Sequence, residues 1–469
     1  MCGKPLMRLC EVERMELPAL FLKRMELLTG GSFAAQYEAP QARGLRINTL
    51  KASEDGLRHC LPLSAEPVPF CRDGYAVPET FRAGSDPLHH AGAYYMQEPS
   101  AMSAVTLLAP QPGERVLDLC AAPGGKSTQI AAALSGTGLL WCHEFVRARA
   151  AVLLQNLERC GVRNAVVTQG ETAPLCHALA GYFDAVLADL PCSGEGMFRK
   201  EPAALEGWSV ENIRLCAARG AAVLDAAAEA VRPGGRLLVS TCTFAPEENE
   251  CQIAAFLARH PEFTLRPLLP PFGRPAYAWE AVFPFADGAF PEPDADLSGC
   301  RRIFPADGGE GHFLALLEKR DGEACTVRPY VPPASAAAAE VQKWLGQLLD
   351  LLPEAVPVRF GERWYILPPL LPELSRLHVL RAGVPAAEVA KNRLEPTHAL
   401  YMAYGAQARS RLRLTLSDPR TAAFLRGEPV ETHTQGYTAV CVEDIPTGFG
   451  KASGGMLKNH YPKGLRLNR

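Results

Sequence analysis

Two cysteines stand where a thiol can do chemistry. Cys192 lies in DAVLADLPCSGEGMF (184–198) and Cys242 in GGRLLVSTCTFAPEENE (234–250). Each follows a run of apolar, partly β-branched residues and precedes turn or cap residues, so both read as loop thiols at the ends of strands. Ligands of parallel α/β sheets bind beyond the carboxyl ends of the strands. If the two strands are neighbours, both sulfurs face one crevice, and a thiolate there is a nucleophile.

A second stretch, DLCAAPGGKS (118–127), puts Gly124 and Gly125 where the chain must turn sharply and where a ligand approaches bare backbone. It is not a phosphate loop, which needs glycine where Cys120 stands, and it is not G-x-G-x-x-G. Glu144 ends the next strand about 20 residues on, the usual distance for a carboxylate that takes ribose hydroxyls. Glu171 follows the third strand and Asp189 ends the fourth. Any one such acid can simply cap a helix. Three around a glycine turn favour a nucleoside ligand without phosphate, which carboxylates would repel. S-adenosylmethionine, with its hydroxyls, amine and sulfonium cation, is such a ligand.

The elements that must position these residues alternate. ERVLDLC (114–120), GLLWCHE (138–144), AVVTQG (165–170), FDAVLAD (183–189) and GRLLVSTC (235–242) read as strands. KSTQIAAAL (126–134), VRARAAVLLQNLERCG (146–161), 210–231 and 247–260 read as helices between and after them. This is the pattern of an α/β, doubly wound, mostly parallel sheet. GHFLALLEK (311–319) adds a final strand, and the Pro/Gly-rich stretch before it suits an antiparallel edge hairpin. HHAGAYYMQEPSAMSAVTLLAP (89–110) leads in with a helix starting at Pro99 and Ser100.

The chain is long enough for several domains, with 469 residues, 48% hydrophobic and 21% charged. No apolar run is long enough to cross a bilayer, and Met1–Cys10 lacks the pattern of a signal peptide, so the expected address is cytoplasmic, without membrane association. The 15 cysteines include no C-x-x-C pair, which argues against zinc or a disulfide framework. Net charge is −3, so any nucleic-acid surface must be local. Candidates are Arg43, Arg46 and Lys51 near the start, and the tail with Lys451, Lys458, Lys463, Arg466 and Arg469 interleaved with His460 and Tyr461. Composition shifts divide the chain into a small α+β unit at 1–85, the alternating unit at 86–320, a linker and small mixed unit at 321–395, and a terminal unit at 396–469.

DLCAAPGGKS, ADLPCSGEG and STCTFAPEENE together resemble the signatures of the Sun/Nop class of RNA (cytosine-5) methyltransferases. RGLRINTLK, YYMQEPSAM, GEGHF and GGMLKNHYPKGLR extend the resemblance over essentially the whole chain, toward bacterial members that act on 16S ribosomal RNA. The resemblance implies a Rossmann-like class I methyltransferase domain flanked by an N-terminal RNA-binding domain, a short middle domain and a C-terminal PUA-like RNA-binding domain. It implies S-adenosyl-L-methionine as cofactor, held by Cys120, Ala121, Ala122, Pro123, Gly124, Gly125 and Lys126 and by the carboxylates Glu144, Glu171 and Asp189. The third-strand position is commonly aspartate in the family, so Glu171 is a departure. The nucleophile falls on Cys242 and the second cysteine on Cys192, with Asp189 at the cytosine edge and Lys126 holding local charge.

Two thiols suit that reaction. Carbon 5 of cytosine becomes nucleophilic only when a thiolate adds to carbon 6, and a base must then remove the carbon 5 proton so that the thiol can leave. DNA cytosine-5 methyltransferases attack with the cysteine of the PC motif. A TC cysteine after the next strand instead favours the RNA mechanism. The target base must be flipped or already unpaired, and Phe198, Arg199 and Lys200 after PCSGEG are candidates to meet it. The expected partner is 16S ribosomal RNA or the small ribosomal subunit, with no obligate protein partner. Two other readings are a transfer RNA (cytosine-5) methyltransferase and a non-catalytic RNA-binding assembly factor.

Overall fold

A computed structural model describes residues 16–467 apart from 32, 39, 287–289, 324–326, 334, 376 and 392. Met1–Cys10 and Arg469 lie outside the described residues.

After the helix Ala19–Thr29, strands β1 (Gly44–Ile47), β2 (Gly74–Ala76) and β3 (Tyr94–Met96) form a small antiparallel sheet in the order β2-β1-β3. The expected helix does begin at Ser100, as a tight turn running into Ser103–Leu108. The aromatic run before it pairs with β1 instead, because Tyr94 can share a buried cluster with Leu45 and Ile47. This first sheet therefore extends past residue 85.

The large sheet is built on β4 (Arg115–Leu119), β5 (Leu139–Glu144), β6 (Ala165–Gln169), β7 (Phe183–Asp189) and β8 (Val231–Thr241), all parallel, in the order β8-β7-β4-β5-β6. Their residues are apolar on both faces, and two buried clusters cover the two sides. Beyond β8 come β9 (Phe263–Arg266), β10 (Arg274–Pro275), β11 (Arg301–Ile303) and β12 (His312–Lys319), with β12 antiparallel to β8, as an edge hairpin requires. The opposite edge holds a surprise: Val379–Ala382, from the middle of the chain, pairs antiparallel with β6. The segment after 321 is thus stitched into the large sheet as well as forming its own four-stranded sheet. The terminal unit is a five-stranded sheet over Arg411–Asn459. Among the described residues no helix is long and apolar enough to cross a membrane.

Three of the basic residues singled out in the sequence bind protein, two of them turned inward and Arg43 at the surface. Arg46 is buried and donates to Gln97, Thr128 and the Gly125 carbonyl. Lys51 donates to the Pro446 carbonyl at 2.7 Å, and burial lowers its ammonium to about 7. Arg43 reaches the Glu79 carbonyl. In the tail Tyr461 is also buried, its hydroxyl 2.9 Å from His90 Nδ1. Lys451, Lys458 and Lys463 stay exposed.

Candidate active site

β7 and β8 are adjacent and in register, Asp189 opposite Ser240. The loops that follow them bring Cys192 Sγ and Cys242 Sγ to 3.4 Å. The hydrogen bond to Cys242, reinforced by burial, holds the Cys192 thiol well above its ordinary value. The two loops are interlocked. Gly196 N–H donates to the Cys242 carbonyl at 2.9 Å. Glu195, in PCSGEG, accepts from Thr243 Oγ1 and Phe244 N–H of the other loop. In return Glu248, from the second loop, accepts from the Ser193 N–H at 2.9 Å and from its hydroxyl. Burial pushes Glu248 up to about 9, with Cys192 adding to the shift, so it is neutral near pH 7 and adds no anion beside the thiols. The expected helix start at 247 is a tight turn, Pro246–Glu248, and the α-helix begins at Glu250. Glu247 there pairs with Arg24 of the N-terminal helix at 2.7 Å.

Lys126 and Asp189 meet at 2.8 Å, and Ser240 donates to the other Asp189 oxygen at 2.9 Å. Burial alone would lower the Lys126 ammonium, but Asp189 outweighs it and holds the group above its ordinary value. Lys126 is therefore enclosed and paired, not a surface lysine.

The loop after β4 turns through Cys120, at φ 61°, and Gly124, at φ 112°, before the helix Gly125–Ala133. A Cβ on Gly124 would come 3.1 Å from Leu153 Cδ1, so both conformation and space call for glycine. Glu144 is buried, and its oxygens accept from Val146 N–H at 2.9 Å and Ala122 N–H at 3.3 Å. Burial pushes the Cys120 thiol up to about 12, with Asp189 and Glu144 adding to it. Glu171 differs: it is exposed at the start of the helix Thr172–Ala178 and makes no capping bond with its side chain. The structure gathers Glu144 and Asp189 around the loop and leaves Glu171 on the rim.

Asp118 was not singled out in the sequence. It is buried on β4, with Oδ2 accepting from Ser127 at 2.5 Å and Oδ1 without a partner. Burial pushes it up to about 7, and Asp189 and Glu144 add to the shift. Its one signal in the sequence is its place two residues before the glycine-rich turn. Acceptors for hydroxyls and an amine, an excess of carboxyl groups and cations already engaged, Lys126 with Asp189 and Arg149 with the Ala122 carbonyl and Glu144, fit a ligand that carries positive charge and no phosphate.

Phe198 is buried in an aromatic cluster with Phe21, Phe33 and Phe244. Arg199 pairs with Glu310 at 2.8 Å, and Lys200 donates to the Ala42 carbonyl at 3.0 Å. These three residues clamp the PCSGEG loop to the N-terminal unit.

Four family models match the chain in sequence. They are the N-terminal domain of 16S rRNA methyltransferase RsmF over 17–99, 16S rRNA methyltransferase RsmB/F over 105–318, the RsmF rRNA methyltransferase first C-terminal domain over 343–404, and the methyltransferase RsmF PUA domain over 411–467. Relatives named ribosomal RNA small subunit methyltransferase F include one from Klebsiella pneumoniae, 33% identical over 96% of both chains. Another from Vibrio vulnificus is 31% identical over 96% of this chain and 97% of its own. A solved methyltransferase homologue from Pyrococcus horikoshii matches with TM-score 0.55 and 29% identity over 64% of this chain and 94% of its own. NSun6 from Pyrococcus horikoshii, solved with SFG, shares the fold at TM-score 0.53 and 20% identity over 65% of this chain and 99% of its own. With its N-terminal, methyltransferase, first C-terminal and PUA segments matched in order, and full-length relatives above 30% identity, this chain belongs to the 16S rRNA methyltransferase RsmF family.

Proposed function

We propose that this chain methylates carbon 5 of cytosine in 16S ribosomal RNA, with Cys242 as nucleophile and Cys192 assisting release. The observation that carries the reading is the pair of sulfurs 3.4 Å apart beside the Lys126–Asp189 pair. S-adenosyl-L-methionine supplies the methyl group when bound. Cys120, Ala121, Ala122, Pro123, Gly124, Gly125 and Lys126 would hold it along the turn, with Glu144 and Asp189 as inner carboxylates and Glu171 at the rim.

Cys242 gives its proton to water and adds as thiolate to carbon 6, so that the ring electrons make carbon 5 an enamine nucleophile. Asp189 and Lys126 hold the base edge. Once carbon 5 carries the new methyl group and the Cys242 sulfur is tied up in the bond to carbon 6, Cys192 gives its own proton to water and, as thiolate, takes the carbon 5 proton. The electrons of that C–H bond restore the ring double bond, and the bond between carbon 6 and Cys242 Sγ breaks. A thiol with a raised pKa is a strong proton acceptor once ionised, which suits Cys192 to this step.

The 16S ribosomal RNA or the small ribosomal subunit is the partner, met in the cytoplasm without a membrane or an obligate protein partner. The units bounded near 85, 320 and 395, with the first extended to β3 and Val379–Ala382 joined to the large sheet, divide RNA binding from chemistry, and the PUA match at 411–467 supports an RNA substrate. Sequencing of bisulfite-treated ribosomal and transfer RNA from cells with and without the protein tests this reading. Loss of methylation at discrete 16S cytosines is expected. Loss confined to transfer RNA would reassign the substrate.

A further inference from the structure

His312 opens β12 in GEGHF, and the mechanism above leaves it unused. The register pairs Leu314 with Ser240 and Phe313 with Thr241, which sets His312 beside the end of β8 that leads into Cys242. Its neighbour Gly311 packs on the same loop: a Cβ on Gly196 would lie 2.9 Å from the Cys242 carbonyl and 3.0 Å from the Gly311 carbonyl.

The imidazole is 3% exposed, and its two nitrogens are in different states. Nδ1 lies 3.2 Å from Ser100 Oγ and 3.9 Å from Glu98 Oε2. The Ser100 hydroxyl gives its proton to Glu98 at 2.5 Å, so it can offer His312 only lone pairs. Nδ1 therefore carries the ring proton, and Nε2 is a bare acceptor. Glu98 is fixed in turn by the N–H groups of Ser100, Ala101 and Glu310, which sets the direction of the whole chain of bonds. Nε2 itself has no hydrogen-bond partner, within the fields of Lys126 and Asp189. Burial, with the Lys126 cation, pushes the imidazole down to about 4, so it stays neutral near pH 7. A buried acceptor without a donor is costly, and a ligand that brings an N–H relieves the cost.

We propose that His312 Nε2 accepts a hydrogen bond from the exocyclic amine of the target cytosine and so selects cytosine over uracil. This rests on the cytosine-methylating reading above. The amine has two hydrogens. Each Asp189 oxygen takes one donor, from Lys126 or Ser240, and keeps a lone pair for the first. The neutral imidazole supplies an acceptor for the second. Uracil presents a carbonyl oxygen at that place, which would face acceptors without a proton between them.

The test uses full-length Cys242→Ala protein and RNA fragments carrying a 16S cytosine mapped as above. Matched fragments carry 2-pyrimidinone, which lacks the amine, or 2′-deoxycytidine at that position. His312→Leu in this background is expected to cut the preference for cytosine over pyrimidinone by about tenfold, leaving pyrimidinone affinity unchanged. An unchanged preference overturns the assignment. So does an effect of His312→Leu that disappears with deoxycytidine, which would make the ribose hydroxyl the donor.

A second measurement needs no stable leucine variant. In protein with 15N-labelled histidine, the His312 Nε2 resonance, identified by its loss in His312→Gln, should move upfield with the cytosine fragment and stay put with pyrimidinone. Equal shifts, or none, contradict the proposal. If the wild-type protein fails to methylate the cytosine fragment, the underlying reading fails. If it methylates the fragment while the preference ignores His312, only this assignment does.

Discussion

Asp118 and Glu248 favour their protonated forms because each is buried near groups that would repel its anion, and Cys192 favours its own through the Cys242 hydrogen bond together with burial. Asp118 has a measurable consequence. Folded protein keeps its proton up to about pH 7, whereas the unfolded chain releases it near the ordinary value of 3.8. Between those limits the folded state binds one proton more, so this residue's contribution to stability falls as pH rises, by about 1.4 kcal/mol per unit. Asp118→Asn removes that slope. The difference in urea unfolding free energy between wild type and variant should widen in the variant's favour from pH 4 to 7, and a constant difference would contradict the assignment. Cys192, Cys242, Lys126 and Asp189, which the fold brings together, stood out in the sequence because they sit in three motifs, two at the ends of β7 and β8 and one at the turn and helix start after β4. Asp118 and His312 were not, because what marks them is burial and a missing partner, neither of which a motif records.

The two thiols owe their positions to two loops that satisfy each other's backbone and side-chain groups through Glu195 and Glu248. Gly196 sits in that contact against the backbone of Cys242, just after β8, and of Gly311, just before β12, where a side chain would be. Gly196→Ala must push the Cys242 loop outward, and misplacement of a reacting group by about 1 Å can cost on the order of 100-fold in rate. The expected result is methyl transfer slowed at least tenfold with cofactor affinity retained, read by single-turnover kinetics and calorimetry. Transfer at the wild-type rate would show that the contact does not position Cys242. The five parallel strands were readable as apolar runs because both of their faces are covered. Tyr94–Met96 and Val379–Ala382 were harder, since each is short and its place is decided by a partner strand distant in sequence.

Across the whole molecule, the flanking units are bound to the catalytic sheet through buried polar contacts. Arg24 joins the N-terminal helix to the turn after Cys242, and Lys51 joins the first unit to the last. Lys51→Met leaves the Pro446 carbonyl without this donor, at a cost of about 1–3 kcal/mol. Limited proteolysis should release the terminal unit faster in the variant, and an unchanged cleavage rate would show that Lys51 does not hold it. The near-neutral composition said little about such contacts. Arg46, Lys51 and Tyr461 looked like RNA-facing residues in the sequence, where residue type is visible and direction is not. The structure turns all three inward, whereas Lys451, Lys458 and Lys463 of the same set stay exposed.

The central claim is that the two thiols divide the work, Cys242 attacking and Cys192 releasing. It is tested most directly by incubating Cys192→Ala and Cys242→Ala proteins with 16S ribosomal RNA and S-adenosylmethionine, then running denaturing gels. A protein–RNA adduct is expected to accumulate with Cys192→Ala and not with Cys242→Ala. An adduct that accumulates with Cys242→Ala instead would contradict that claim and reverse the two roles.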